Sequence, residues 1–213
     1  MAKKNFWDKT AGLYDGFMKK DEKAYERMYE LIRPKIRGKK VLELAAGTGM
    51  ISKNVASVAL SYEATDASEK MIEEAEKGCC IEGIFFSVRD MFSLDFPDKA
   101  FDAVIVGNAL HIVPNPEKAL CEIRRVLKDD GVLIAPTFTH AENSFKGKIR
   151  AFFMKAVGFP LESKWSGKEY LEFLERNGWR VEKSLTLKAS FPLTYAECGK
   201  SFEKNSEKEG ILT

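Results

Sequence analysis

A run of small residues follows an apolar segment near the start of the chain, and residues of these types are suited to holding a nucleoside. The run is Ala-Ala-Gly-Thr-Gly at 45–49. Glycines let the backbone turn sharply and approach a ligand, and a following helix points its free N–H groups at that ligand. Asp66 closes the next apolar segment, where a carboxylate can accept hydrogen bonds from a ribose diol. Together they predict a nucleoside-bearing cofactor, with a tight turn and a solvated Asp66 as the alternative.

The spacing after the first glycine distinguishes between cofactors. Dinucleotide enzymes use Gly-x-Gly-x-x-Gly/Ala, whose third small residue lets the helix pack closely on the strand. Counted from Gly47 the third position is Ser52, and counted from Ala45 it is the bulky Met50. The pattern therefore disfavours a pyrophosphate. An NAD-dependent oxidoreductase remains one alternative, and a nucleoside-binding module without turnover is another.

Strand and helix patterns alternate around this loop. Apolar runs without alternation, typical of strands buried on both faces, occur at 41–44, 62–65, 84–88, 101–106 and 132–135. Helical spacing follows the glycines, Ser68 and Pro116, the last helix running to Leu127 before a turn at 129–131. This order predicts a doubly wound α/β fold with a mostly parallel seven-stranded sheet. A helix at 167–177 and an antiparallel strand pair at 179–187 and 190–195 complete it.

Length and composition indicate one globular domain. The chain has 213 residues and a net charge of +2, too balanced for a dedicated nucleic-acid binder. We divide it into an N-terminal lid and helix (1–38), a cofactor-binding core (40–137), a substrate cap (138–165) and a C-terminal helix with strands (166–198), followed by a polar tail from 199. Four cysteines without Cys-x-x-Cys predict reduced thiols and a cytoplasmic protein, and two histidines predict no metal site.

Four segments, in this order, resemble motifs of the class I S-adenosylmethionine-dependent methyltransferases, in particular the ubiquinone and menaquinone C-methyltransferase group. They are Val-Leu-Glu-Leu-Ala-Ala-Gly-Thr-Gly at 41–49, Ala-Thr-Asp-Ala-Ser at 64–68, Arg-Asp-Met at 89–91 and the block at 101–138. The resemblance implies a Rossmann-like methyltransferase fold, S-adenosylmethionine as cofactor and S-adenosylhomocysteine as product. Ala45 departs from the glycine that most members carry, which adds a methyl group beside the cofactor.

The resemblance also implies roles for individual residues. Glu43 would orient the cofactor's amino group, Asp66 would hold the ribose, and Asp90 would accept a hydrogen bond from the adenine amino group. The other implied contacts are backbone contacts from Ala45 and Gly47, ring packing by Ala67 and Met71, the N–H of Met91 to adenine, Asn108 along the methionine portion, and the Tyr14 phenol to the carboxylate. The alternatives are plain core packing for Met71, a turn cap for Asp90 and ordinary packing for Tyr14.

A sulfonium is already an activated methyl donor, so alignment of the acceptor is the main catalytic requirement. His111 is the candidate general base, because it follows the fourth strand and an imidazole titrates near neutral pH. The alternative is that His111 stacks on the cofactor or satisfies a loop carbonyl.

The cationic, aromatic stretch at 145–159 has helical amphipathic spacing. It is either a cap whose apolar face covers the acceptor pocket or a peripheral contact with a membrane surface. The predicted partner is a small apolar or aromatic methyl acceptor and no nucleic acid; the oligomeric state is not predicted.

Overall fold

The computed structural model describes Asp8, residues 19–140 and residues 162–201. These residues form one mixed sheet of eight strands with helices on both faces. The strands are β1 (Lys40–Leu44), β2 (Ser61–Asp66), β3 (Ile84–Val88), β4 (Phe101–Val106), β5 (Leu127–Ile134), β6 (Thr137–Phe138), β7 (Trp179–Leu187) and β8 (Leu193–Lys200). The helices are α1 (Glu22–Ile36), α2 (Ser52–Val55), α3 (Glu69–Glu76), α4 (Pro116–Val126) and α5 (Gly167–Arg176). Short 3₁₀ turns at Lys19–Asp21 and Ala56–Val58 precede α1 and follow α2.

Three helices begin at polar side chains that accept hydrogen bonds from the first turn. At the start of α3, the Ser68 side chain accepts a hydrogen bond from the backbone N–H of Met71. At the start of α4, the Asn115 side chain accepts one from the backbone N–H of Lys118, and Pro116 occupies the first helical position. Ser166 and Glu169 form a reciprocal capping box at α5. Local sequence therefore fixes where these helices start.

The strand order places the ligand crevice at the centre of the sheet. The parallel strands run β3-β2-β1-β4-β5, and β1 pairs in parallel with both β2 and β4. The winding direction reverses between β1 and β4, and Leu44 lies opposite Val106 at their carboxyl ends. Open α/β sheets bind ligands at such a reversal. This confirms the predicted fold class.

The segment predicted as a turn at 129–131 is instead part of β5. Phe101 pairs with Leu127 and Ala103 with Val132, so residues 128–131 form a bulge within the strand. Leu127, predicted as the end of the preceding helix face, is thus the first residue of β5. The Asp-Asp-Gly sequence favours a turn locally, but Asp129 is held in the sheet by ion pairs with Lys99 and Lys200.

The antiparallel pair of β7 and β8 is confirmed, with different bounds for β8. The predicted strand at 190–195 is observed at Leu193–Lys200, so the polar tail predicted from Gly199 is wrong at its first residues. Gly199 and Lys200 pair with β7, and the Lys200 Nζ donates to the Leu127 carbonyl at 2.7 Å. Every residue of β8 is buried because this strand lies between β5 and β7.

Two further differences concern the edges of the sheet. The eighth strand, β6, has two residues and continues β5 beyond Pro136, pairing with β8. β3 forms the opposite edge, where the Phe85 side chain is 61% exposed and Val88 is also exposed. The prediction that the parallel strands are buried on both faces is therefore wrong for β3, because its Phe85 and Val88 side chains are left open to solvent.

Candidate cofactor site

A cavity of about 230 Å³ opens at the carboxyl ends of the central parallel strands. Its lining includes eight of the ten residues for which the resemblance implies cofactor contacts: Ala45, Gly47, Asp66, Ala67, Met71, Asp90, Met91 and Asn108. The remaining lining residues are Ser68, Arg89, Phe92, Gly107, Ala109, Ile112, Val113 and Pro114. Segments far apart in sequence thus meet around one space.

The small-residue loop after β1 turns through the left-handed backbone region. Ala45 has φ 54° and Gly47 has φ 57°. Glycine adopts this conformation freely, whereas for an L-residue such as Ala45 it costs roughly 1–2 kcal/mol. The loop is nevertheless well tied to the sheet, because the Ala46 N–H donates to the Thr65 carbonyl at 2.9 Å. The backbone therefore approaches the cavity closely at a cost in strain.

Asp66 connects this loop to the start of α3. Its two carboxylate oxygens accept hydrogen bonds from the backbone N–H groups of Gly47 and Ser68, each at 2.9 Å. Burial raises the pKa of Asp66, and these hydrogen bonds oppose the rise. A carboxylate has about four acceptor positions. The acceptor capacity that remains is available to a ribose diol in the cavity that Asp66 lines.

All the residues implied for adenine contacts line the cavity. Met71 and Met91 are buried and line it. Asp90 is exposed, and its Oδ1 accepts from the Phe92 N–H at 2.9 Å, which is the turn cap considered as its alternative role. A contact of Asp90 with adenine stays a prediction.

Glu43 does not reach the cavity lining. Its side chain is 1% exposed, and Oε2 accepts from the Tyr62 hydroxyl at 2.9 Å. Burial raises the pKa of Glu43 to about 8, while hydrogen bonds from Tyr62 and Ser52 oppose the rise. Glu43 is therefore largely protonated at neutral pH. The implied role of Glu43 towards the cofactor's amino group stays a prediction. Glu43 lies on β1, two residues before the small-residue loop.

Asn108 presents a buried acceptor atom beside the cavity. Its backbone has φ 52°, its N–H donates to the Pro136 carbonyl at 2.8 Å, and its Nδ2 donates to the Tyr25 hydroxyl at 2.7 Å. The Oδ1 atom is buried and has no hydrogen-bond partner among the described residues. A buried unpaired acceptor is costly. The atom fits the donor group of a cofactor, and the Tyr25 contact has no local signal in the sequence.

His111 lies behind the cavity lining. Its ring is 4% exposed, and Nδ1 lies 2.8 Å from the Thr137 Oγ1. Burial, with a smaller contribution from His140, lowers the pKa of His111 to about 4, so its imidazole is neutral at physiological pH. Its backbone carbonyl accepts from the N–H groups of Glu162 and Ser163.

The remaining implied regions lie outside the described residues. These are Tyr14 and the amphipathic stretch at 145–159, whose two possible roles stay predictions. Asp8 is described, and its Oδ1 accepts a hydrogen bond from the Ser68 hydroxyl at 2.5 Å. This contact at the cavity rim was missed by the sequence patterns. No helix within 19–140 or 162–201 is long and apolar enough to cross a membrane.

Comparison with known proteins agrees with the motif order. Residues 42–135 match the family model described as a methyltransferase domain. A demethylmenaquinone methyltransferase of Thermotoga maritima is 36% identical over 138 residues, which are 63% of this chain and 59% of that protein. A second, from Renibacterium salmoninarum, is 34% identical over 57% of this chain and 51% of its own length. The chain thus spans little more than half the length of these two relatives.

Solved structures show the same fold. A Haloferax volcanii methyltransferase in complex with the Trm112 methyltransferase activator has a TM-score of 0.77 at 18% identity, covering 92% of this chain and 98% of that one. The DhpI–SAH complex has a TM-score of 0.71 at 24% identity, covering 93% and 95%. The family match excludes the oxidoreductase alternative. Residues 42–135 are therefore identified as a methyltransferase domain, and their motifs are those of the class I S-adenosylmethionine-dependent methyltransferases.

Proposed function

We propose that this chain transfers the methyl group of S-adenosylmethionine to a small, apolar or aromatic acceptor. The observation that carries the proposal is the composition of the cavity. Asp66 offers a carboxylate acceptor for a ribose, and much of the remaining wall is apolar. The similarity to demethylmenaquinone methyltransferases supports the same acceptor class.

The cofactor supplies an activated methyl group when bound. The chain's own residues hold and orient the reactants. Asp66 is already fixed by two backbone N–H groups, so its remaining acceptor positions are preorganised for the ribose. Met71 and Met91 provide apolar surface for a flat ring.

The acceptor side of the proposal depends on apolar wall residues. Phe92, Ile112, Val113 and Pro114 line the cavity. Such side chains exclude water and favour a ring or another apolar group over a charged one. Good orientation of two reactants is worth roughly 7–11 kcal/mol of barrier lowering. Positioning is therefore the main catalytic contribution in this proposal.

His111 as general base also stays a proposal. The imidazole is neutral at physiological pH and able to accept a proton, but a pKa near 4 makes it a weak base. Its Nδ1 is already in contact with the Thr137 hydroxyl. A phenol or quinol acceptor is activated by loss of the proton from its ring oxygen, which is the step that such a group would assist.

Binding calorimetry followed by a turnover assay tests the proposed function. We expect S-adenosylmethionine and S-adenosylhomocysteine to bind the folded protein and NAD not to bind. A panel of phenols, quinols, thiols and amines is then incubated with S-adenosylmethionine, and S-adenosylhomocysteine is quantified by mass spectrometry. Turnover with phenols or quinols supports the proposed acceptor class. Cofactor binding without turnover on any acceptor points to the nucleoside-binding module, and absence of binding refutes the proposal.

A further inference from the structure

We propose that Tyr25 is a positioning residue for the amino-acid end of the cofactor. In this inference the Tyr25 hydroxyl holds the Asn108 amide so that Oδ1 accepts a hydrogen bond from the cofactor's amino group. The inference rests on the proposed function and extends it to a residue of α1, which no cofactor motif of the sequence includes.

The contact between the two side chains joins elements that are distant in sequence. Tyr25 lies on α1, and its hydroxyl oxygen accepts from the Asn108 Nδ2 at 2.7 Å across 83 positions of the chain. The Tyr25 ring is buried and packs against Tyr29, with ring centroids 6.1 Å apart. Burial and packing leave the hydroxyl little freedom to move, so Tyr25 is suited to fixing a neighbour.

An asparagine amide needs such a partner because its two ends differ chemically. Rotation by half a turn exchanges the donor Nδ2 for the acceptor Oδ1. The Asn108 backbone is already fixed by its positive φ and its hydrogen bond to the Pro136 carbonyl. The Tyr25 contact engages Nδ2, which leaves the buried Oδ1 as an acceptor without a partner among the described residues.

The chemistry of the cofactor indicates which donor would satisfy Oδ1. S-adenosylmethionine carries donors at its adenine amine, its ribose hydroxyls and its amino group. The proposed function assigns the ribose to Asp66 and the adenine ring to Met71 and Met91. Asn108 follows β4, the strand next to β1, and the resemblance assigns it to the methionine portion. The amino group is the donor that remains.

Binding of ligands with and without the amino-acid end tests the inference. Tyr25→Phe removes the hydroxyl oxygen and keeps the ring. We expect the Kd of S-adenosylhomocysteine to rise about tenfold, as loss of one well-placed hydrogen bond to a charged group predicts. We expect the Kd of 5′-methylthioadenosine, which has the same adenosine and a thioether but no amino acid, to change less than twofold. Calorimetry measures both.

Tyr29→Phe is the matched control, because Tyr29 is a buried tyrosine one turn further along α1 with no hydrogen bond to Asn108. It should leave both Kd values within twofold. A second test uses Asn108→Asp, whose two side-chain ends are equivalent acceptors. In that background the orientation no longer depends on Tyr25, so adding Tyr25→Phe should change the Kd of S-adenosylhomocysteine less than twofold.

The outcomes separate this inference from the proposed function. Equal weakening of both ligands by Tyr25→Phe, or no weakening of either, overturns the inference while the proposed function stands. A tenfold loss that persists in the Asn108→Asp background also overturns it. If the wild-type protein binds neither ligand, the proposed function fails and this inference fails with it.

Discussion

The two halves of the sheet differ in what their polar groups do. On the side of β1 to β3, Asp66 binds two backbone N–H groups and keeps acceptor positions free towards a cavity. On the side of β5 to β8, several polar groups instead pair within the protein. The Tyr170 hydroxyl donates to the Ala135 carbonyl at 2.8 Å, and His111 contacts Thr137. The first half is built to hold a ligand, and the second is built as packed support.

The same difference is visible in the two buried titratable groups. Burial raises the pKa of Glu43 to about 8 and lowers that of His111 to about 4, so both are neutral in the folded protein near pH 7. The two groups therefore change the free energy of unfolding with pH in opposite directions. Glu43 favours folding at low pH and loses that contribution as pH rises towards 8. His111 contributes fully above pH 6.5, and its contribution is lost as pH falls towards 4.

The largest effect is expected from replacing Asp66, the carboxylate on the β1 to β3 side of the sheet. Asp66→Ala deletes the proposed ribose acceptor and the link between Gly47 and Ser68. We expect the Kd of S-adenosylhomocysteine to rise about 100-fold, because two charge-assisted hydrogen bonds are lost. Calorimetry measures it, with the exposed Asp130→Ala as control. An unchanged Kd would remove Asp66 from the site.

Glu43→Gln tests the raised pKa of the buried Glu43 carboxyl group. Between pH 6.5 and 8 the wild-type protein should lose about 2 kcal/mol of unfolding free energy relative to the variant, because the unfolded chain releases a proton that the folded chain retains. Urea denaturation at the two pH values measures this difference. Glu30→Gln, on the exposed face of α1, should keep the wild-type slope. Parallel pH profiles of wild type and Glu43→Gln would contradict the assignment.

His111→Asn tests the lowered pKa of His111, which should make the free energy of unfolding change with pH in the opposite direction. Between pH 6.5 and 5 the wild-type protein should lose about 1.5 kcal/mol relative to the variant, because the unfolded histidine takes up a proton that the buried ring does not. The less buried His140 provides the control, and His140→Asn should change the profile less. Methyl transfer measured on the same variant separates support from catalysis, since loss of a general base lowers turnover about 100-fold or more.

Ala45→Gly gives the smallest expected effect and measures strain in the loop. Replacing the left-handed alanine removes roughly 1–2 kcal/mol of strain and adds up to about 1 kcal/mol of unfolded-state entropy. We expect a gain of up to about 1 kcal/mol in unfolding free energy by urea denaturation. The neighbouring Ala46 is buried and has no positive φ, so Ala46→Gly should lower the free energy of unfolding. Equal losses at both positions would show that Ala45 is unstrained.

Much of the fold followed from patterns that are local in the sequence. Apolar runs predicted β3 and β4, and a strand-like run predicted β7, at their observed bounds; Ser68 and Pro116 mark the starts of α3 and α4. The failures are residues whose conformation depends on distant partners. The bulge at 128–131 and the last residues of β8 are held by pairing with β4, β5 and β7. Local turn propensity and tail polarity carry no information about those neighbours.

The sequence by itself predicted the family, the cofactor and most of the residues that line the cavity, because a nucleoside site needs small residues and a carboxylate at fixed places in the strand order. Only the tertiary structure decided where Glu43 and His111 lie and which partner Asn108 has. Those facts depend on burial and on contacts between elements up to 83 residues apart, such as Tyr25 and Asn108. Side-chain surroundings of that kind arise when the helices pack on the sheet, and no local pattern encodes them.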